Sequence, residues 1–183
     1  MLQNIKVTKK EGQEYDLLAE DMYQVELLDV NSEERPTYDT RLNPKENQLF
    51  ETVLNFDFVL LEGEARGRHV WMNFVPTYLY ISKKNGKNKL YQIVESLLTR
   101  ELTQEEFMVI DSDASQFLNG LIGKQCRVMV KHKQSGDKTF ANIAQLLPAK
   151  TQLEALTVEE KTKGKKPAEP GDPDYIDPAN IPF

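Results

Sequence analysis

The sequence predicts a mainly β domain: a five-stranded Greek-key barrel with a helical insert between strands 3 and 4, followed by a disordered C-terminal tail. Residues 22–30, 49–63, 68–75, 123–134 and 138–148 alternate apolar and polar side chains, the two-residue period of half-buried strands. Between the third and fourth of these runs the spacing changes to Leu90, Ile93, Val94, Leu97 and Leu98, the i, i+3, i+4 pattern of an amphipathic helix. From Thr162 to Phe183 the chain holds Pro167, Pro170, Pro173, Pro178 and Pro182, and its few apolar residues have no period. Such a segment buries too little surface to offset its ordering entropy.

The first strand, MYQVELLDV, sets Tyr23, Val25 and Leu27 against polar Gln24 and Glu26. A polar connection over 31–48 follows; at about 18 residues it has the length of a functional or mobile loop. In the second strand Phe50, Thr52, Leu54, Phe56, Phe58 and Leu60 share one face, with Glu51, Asn55 and Asp57 on the other. A turn from Gly63 to Gly67 leads into RHVWMNFV, where Val70, Met72 and Phe74 point to the core. The basic loop SKKNGKNK precedes the helix, Thr103 to Glu106 (TQEE) fits a capping box, and residues 113–119 read as a further short helix. GKQCRVMVKHKQ then places Cys126, Val128 and Val130 on one face and Arg127, Met129, Lys131 and Lys133 on the other. Ser135 to Asp137 is a hairpin turn, and KTFANIAQLLP returns as the last strand. This order is that of the OB-fold, the five-stranded barrel that binds oligonucleotides; a sandwich of two small sheets would use the same strand count. The domain is expected over 1–149, a flexible linker over 150–170 and an acidic interaction tail over 171–183, with residues 151–160 either a short helix or part of the linker.

A length of 183 residues suits one domain with extensions. No apolar run approaches the ~20 residues that span a bilayer. The segment MLQNIKVTKKEGQEYD has no apolar stretch behind its lysines and does not read as a secretory signal, so the cytoplasm is the expected location. Cys126 alone makes no internal disulfide, and two histidines with one thiol are too few for a structural zinc site. A net charge of −6 argues against nucleic acid only if the acid is evenly spread. Residues 1–62 carry 6 basic and 14 acidic side chains (−8), residues 63–149 carry 12 and 8 (+4), and residues 150–183 carry 5 and 7 (−2). The middle of the chain is locally basic.

Strand parity puts Trp71 beside His69 and Asn73, opposite the core residues. An aromatic ring on a polar face is a candidate stacking platform for bases, at ~1–3 kcal/mol per stack; packing under a loop or helix is the plainer reading. Arg68 precedes that strand, and Tyr78 and Tyr80 lead into Lys83, Lys84, Lys87 and Lys89. Aromatics interleaved with cations suit single-stranded nucleic acid, whose bases stack and whose phosphates need counter-charge. A solvated lysine loop beside core tyrosines is the plainer alternative. Arg127, Lys131 and Lys133 share a face, Lys138 follows across the hairpin, and Arg35, Tyr38 and Arg41 lie in the 31–48 connection. In an OB barrel these would converge on the binding surface formed by strands 2 and 3 and the first and fourth connecting loops.

Catalysis finds little support. Asp111 and Asp113 precede a predicted helix, where acids cap more often than they hold metal, and Glu105 and Glu106 lie in a first helical turn. His69 and His132 stand singly, and no phosphate-cradling glycine loop occurs. No catalytic residue, metal or cofactor is expected.

The tail ends GDPDYIDPANIPF, in which Asp172, Asp174 and Asp177 precede Ile181, Pro182 and Phe183. An aromatic ring beside a carboxylate suits an apolar pocket with a basic rim on a partner. This resembles the acidic tail of bacterial single-stranded DNA-binding proteins, although here Ala179 and Asn180 stand between the last acid and the terminal tripeptide. The stretch RHVWMNF, and GKQCRVMV followed by a hairpin and LLP, are similar to a divergent phage- or mobile-element-encoded group of that family. The resemblance implies a protein of a bacterial or phage-infected cell. It implies sequence-nonspecific binding and protection of single-stranded DNA in replication, recombination or repair, with partner enzymes recruited by the tail. One small barrel covers few nucleotides, which suggests assembly into dimers or tetramers. The rival from another class is a protein-interaction or DNA-mimic inhibitor module; a carbohydrate-binding sandwich using Trp71 is a third.

Overall fold

The computed structural model describes residues 17–37, 49–136 and 138–162. The predictions for Tyr38, Arg41 and the tail residues Asp172, Asp174, Asp177, Ile181, Pro182 and Phe183 lie outside these residues, as does the side chain of Lys138. In chain order the elements are β1 (Met22–Pro36), β2 (Phe50–Leu60), β3 (His69–Pro76), β4 (Ile81–Ser82), β5 (Gly86–Lys87), α1 (Lys89–Leu98), α2 (Gln104–Ser112), α3 (Ala114–Asn119), β6 (Gln125–Ser135), β7 (Lys138–Pro148) and α4 (Val158–Thr162). The protein is mainly β. Five strands form one antiparallel sheet in the order β3-β2-β1-β6-β7, and β4 and β5 make a separate small hairpin. The edge strands β3 and β7 come within 8 Å (Cα to Cα) but share no ladder among the described residues, so the sheet curls without closing. No helix among these residues is long and apolar enough to cross a membrane.

One face of every large strand lines the core: Val25 and Leu27, Phe56 and Phe58, Met72 and Val75, Val128 and Val130, Ile143 and Leu146. Helix α1 fills the interior with Leu90, Ile93, Val94 and Leu97, the stripe that its spacing predicts, at ~1.5–3 kcal/mol for each large side chain. Asn88 caps it by accepting the Tyr91 N–H at 3.2 Å, and Thr99 ends it with a left-handed φ of 59°. The Thr103/Glu106 capping box opens α2, with reciprocal bonds of 3.2 and 3.0 Å. Asp113 caps α3 by accepting the Ser115 N–H at 2.9 Å.

Three expectations are corrected. First, the polar connection does not begin at residue 31, because β1 runs on to Pro36 and pairs with β2 in a two-stranded ribbon as far as Pro36↔Phe50. Its polar side chains bond across the strands, Arg35 to Glu51 at 2.8 Å and Asn55 to Glu33 at 2.8 Å, so the ribbon needs no apolar alternation. Phe50 lies on this ribbon and is exposed instead of in the core.

Second, Phe74 leaves the core face. Between Leu54↔Val75 and Phe56↔Met72, β3 holds one residue more than β2. This bulge gives Phe74 a φ of 61° and turns its ring outward.

Third, residues 150–162, expected as linker or as a short helix over 151–160, pack on the sheet, and the helix is α4, Val158–Thr162. They cross the outer face of the sheet from β6 to β3. Leu156 is buried with Val59 and Leu61, and Gln24 and Gln125 donate side-chain N–H groups to the carbonyls of Thr151 and Leu153 at 2.7 and 2.8 Å. Gln24 and Glu26, placed by alternation on a solvent face, are therefore buried. Gly67 permits the close approach, since a Cβ there would meet the Glu160 carbonyl oxygen at 3.2 Å and its φ is 85°.

Candidate nucleic-acid interface

Trp71 stands on the outer face of β3, paired with Asp57 of β2. Its indole is 53% exposed although large aromatic rings are usually mostly covered. One side is backed by the buried His69, whose ring stacks on it at 5.9 Å between centroids and 26° between planes. His69 Nδ1 bonds the Asp57 carboxylate at 2.8 Å and Nε2 bonds the Lys161 carbonyl at 2.8 Å. Phe74, 51% exposed, is the second outward ring on this strand. The Asn55 side chain accepts its backbone N–H at 3.0 Å, and the Arg35 guanidinium lies 4.6 Å from its ring centre.

Trp71 borders three grooves. One, of about 510 Å³, runs between β3 and the β6–β7 hairpin, and gathers Phe74, Lys89, Lys131, His132 and Lys133 around it. A second, of about 650 Å³, continues past Arg68 and Lys133 to the exposed ring of Phe140. The gap between the unpaired edges β3 and β7 is thus lined by Arg68, Lys89, Lys131 and Lys133 with three exposed aromatics among them. Lys131 is partly matched by Glu20, 3.5 Å away at an exposed site. The Glu20 carboxyl is held below its usual range, first by the backbone N–H of His132 and also by Lys131.

The third groove, of about 320 Å³, has the opposite character. It crosses the outer face of β1, β2 and β3 between Trp71 and Phe74, and Asp29, Glu33 and Asp57 line it with Asn31 and Asn55. On this face of β2 and β3, one part of the surface where the sequence places the interface, the charge is acidic.

The remaining expected residues divide. Lys87 is committed elsewhere, bonded to Glu95 at 2.8 Å and near Glu101 at 3.4 Å, and the Glu95 carboxylate holds its ammonium above the usual range. Arg127 donates to the Pro148 carbonyl at 3.1 Å and borders none of the three grooves. Tyr78, Tyr80, Lys83 and Lys84 are exposed on and before the β4–β5 hairpin, likewise outside these grooves. Tyr78 and Tyr80 are accordingly not core residues.

Phe74 and Phe140 are absent from the expected site. Phe140 shares the parity of Asn142 on the last strand, a readable signal, whereas Phe74 depends on a bulge that periodicity does not encode. Among the described residues no group of three or more His, Cys, Asp or Glu gathers as a metal site would require. No protein-family model matches the chain, and no curated protein sequence does.

Proposed function

We propose that the chain binds single-stranded nucleic acid, DNA by its resemblance, along the cleft between β3 and the β6–β7 hairpin, without catalysis. The observation that carries this is the cleft itself: exposed rings of Trp71, Phe74 and Phe140 alternate with Arg68, Lys89, Lys131 and Lys133. Rings take bases on their faces and the cations neutralise phosphates. Phe74 adds weight, because a left-handed φ on a bulky residue costs ~1–2 kcal/mol and here it serves to expose an aromatic ring. The strand order, with β6 returning by a long connection to lie beside β1, supports a Greek-key arrangement and fits an OB barrel left partly open. The acidic C-terminal residues are the proposed partner-recruiting tail for replication, recombination or repair enzymes.

Salt titration of oligo-dT binding tests the electrostatic part. Four cations predict a slope of log K on log salt of about −3, reduced in Lys131→Gln and Lys133→Gln. Binding that does not weaken with salt would overturn the reading.

The acidic row of Asp29, Glu33 and Asp57 favours a second reading, a surface that imitates phosphates to engage a basic protein. A protein of that kind binds no oligonucleotide at any salt concentration.

A further inference from the structure

His69 is buried, yet it is polar on both ring nitrogens, and both face acceptors. The Asp57 carboxylate oxygens lie 2.8 and 3.0 Å from Nδ1, and the Lys161 carbonyl oxygen lies 2.8 Å from Nε2. Neither an ionised carboxylate nor a carbonyl can donate, so with Asp57 ionised both bonds exist together only when the ring carries two protons. That imidazolium is stacked on Trp71. We propose that His69 is the positioning residue of the Trp71 platform: its doubly protonated ring, clamped between β2 and α4, holds the indole with one face covered and the other presented to the cleft. The consequence for binding rests on the nucleic-acid reading above, whereas the clamp itself does not.

The charged groups around the clamp come from each element packed on it. Asp57 belongs to β2 and is the direct counter-charge. From α4, Lys161 offers its carbonyl to His69 while its ammonium turns away to the buried Glu26 of β1 at 2.5 Å. Glu160, one residue earlier, is paired with Arg66 at 3.3 Å. When the ring loses a proton, one of its two bonds loses its hydrogen, and either the Asp57 or the α4 contact slackens. The segment over 150–162 is therefore part of the platform and not merely a cover for the sheet.

Trp71 is the only tryptophan, so intrinsic fluorescence reports on this contact in the free protein. A protonated imidazole in contact quenches indole emission. Between about pH 5 and 9, wild-type emission is expected to rise in one step as the proton leaves. The step should vanish in His69→Gln and persist in His132→Gln, which removes the other histidine. Asp57→Asn keeps an acceptor but removes the anion that favours the charged ring, and should move the step to lower pH. The wild-type and Asp57→Asn profiles carry the test even where His69→Gln is poorly folded. A flat wild-type profile, or a step that survives in His69→Gln, overturns the clamp.

At fixed salt, oligo-dT affinity should fall about fivefold across the same step, the size of one net hydrogen bond, and should be constant in His69→Gln. Affinity that ignores a clear fluorescence step overturns the positioning role. A fluorescence step without oligonucleotide binding at any pH overturns the nucleic-acid reading and leaves the clamp standing.

Discussion

Trp71 and Phe74 reach solvent by different physical routes. Trp71 does so by simple parity, since β3 turns His69 and Trp71 outward and Met72 inward. That assignment is readable from the sequence, and so is the polar company of Asn73. Phe74 has the parity of a core residue and is exposed because the extra residue in β3 reverses it. A bulge is a property of two strands in register, so one strand's pattern cannot announce it. Trp71→Ala should leave the fold intact and weaken oligonucleotide binding by ~1–3 kcal/mol in a titration. Phe74→Gly removes backbone strain and the Arg35 contact, each ~1 kcal/mol, so its thermal midpoint should stay near wild type while its oligonucleotide affinity falls. Cys126 illustrates the silent case: burial alone pushes its thiol up to about 12. Iodoacetamide should label it only after denaturation, as mass spectrometry would show.

Local signals at the level of elements were legible wherever neighbours in sequence supply them. The α1 stripe, the Thr103/Glu106 box and the Asp113 cap are each contained in a few residues and each forms as its chemistry requires. Glu106 also gives a pH test. The Arg100 guanidinium, 2.6 Å away, and the Thr103 backbone N–H hold its carboxyl down to about 2 from an ordinary value of 4.5. Because the folded value is depressed, its contribution is full above about pH 4.5 and is lost as the pH falls toward about 2. Amide exchange in the first turn of α2 should quicken across that window, and Glu106→Gln should abolish the dependence. The segment over 150–162 was the least legible element. Its own residues are mostly polar, and the groups that hold it, Gln24, Glu26, His69 and Gln125, are scattered over three strands and look like solvent-facing positions. Truncation after Ala149 would expose Val59 and Leu61, leave Glu26 without Lys161 and remove hydrogen bonds from Gln24, Gln125 and His69. It should lower the thermal midpoint sharply, whereas truncation after Thr162 removes none of these contacts and should not.

Over the whole molecule, the distribution of charge along the chain says more than its sum. The net value of −6 combines a locally basic middle with acidic flanks, and folding sharpens the contrast further. It sets Arg68, Lys89, Lys131 and Lys133 along one cleft and Asp29, Glu33 and Asp57 along another, with Trp71 on the border of both. The sequence foretold the strand count of the main sheet and the place of the helical insert, because alternation and helical spacing are one-dimensional patterns. It named Arg68, Lys89, Lys131 and Lys133 but did not separate them from Lys83, Lys84, Lys87 and Arg127, because which cations face one another depends on how the sheet curls and which carboxylates reach them first, as Glu95 reaches Lys87. The most direct test uses that border position: the intrinsic fluorescence of Trp71 titrated with oligo-dT and with a duplex of equal length at moderate salt. Strong quenching by the single strand and little by the duplex is expected, since only unpaired bases can stack on the ring. Equal quenching by both, or none by either, would contradict the assignment of this cleft to single-stranded nucleic acid.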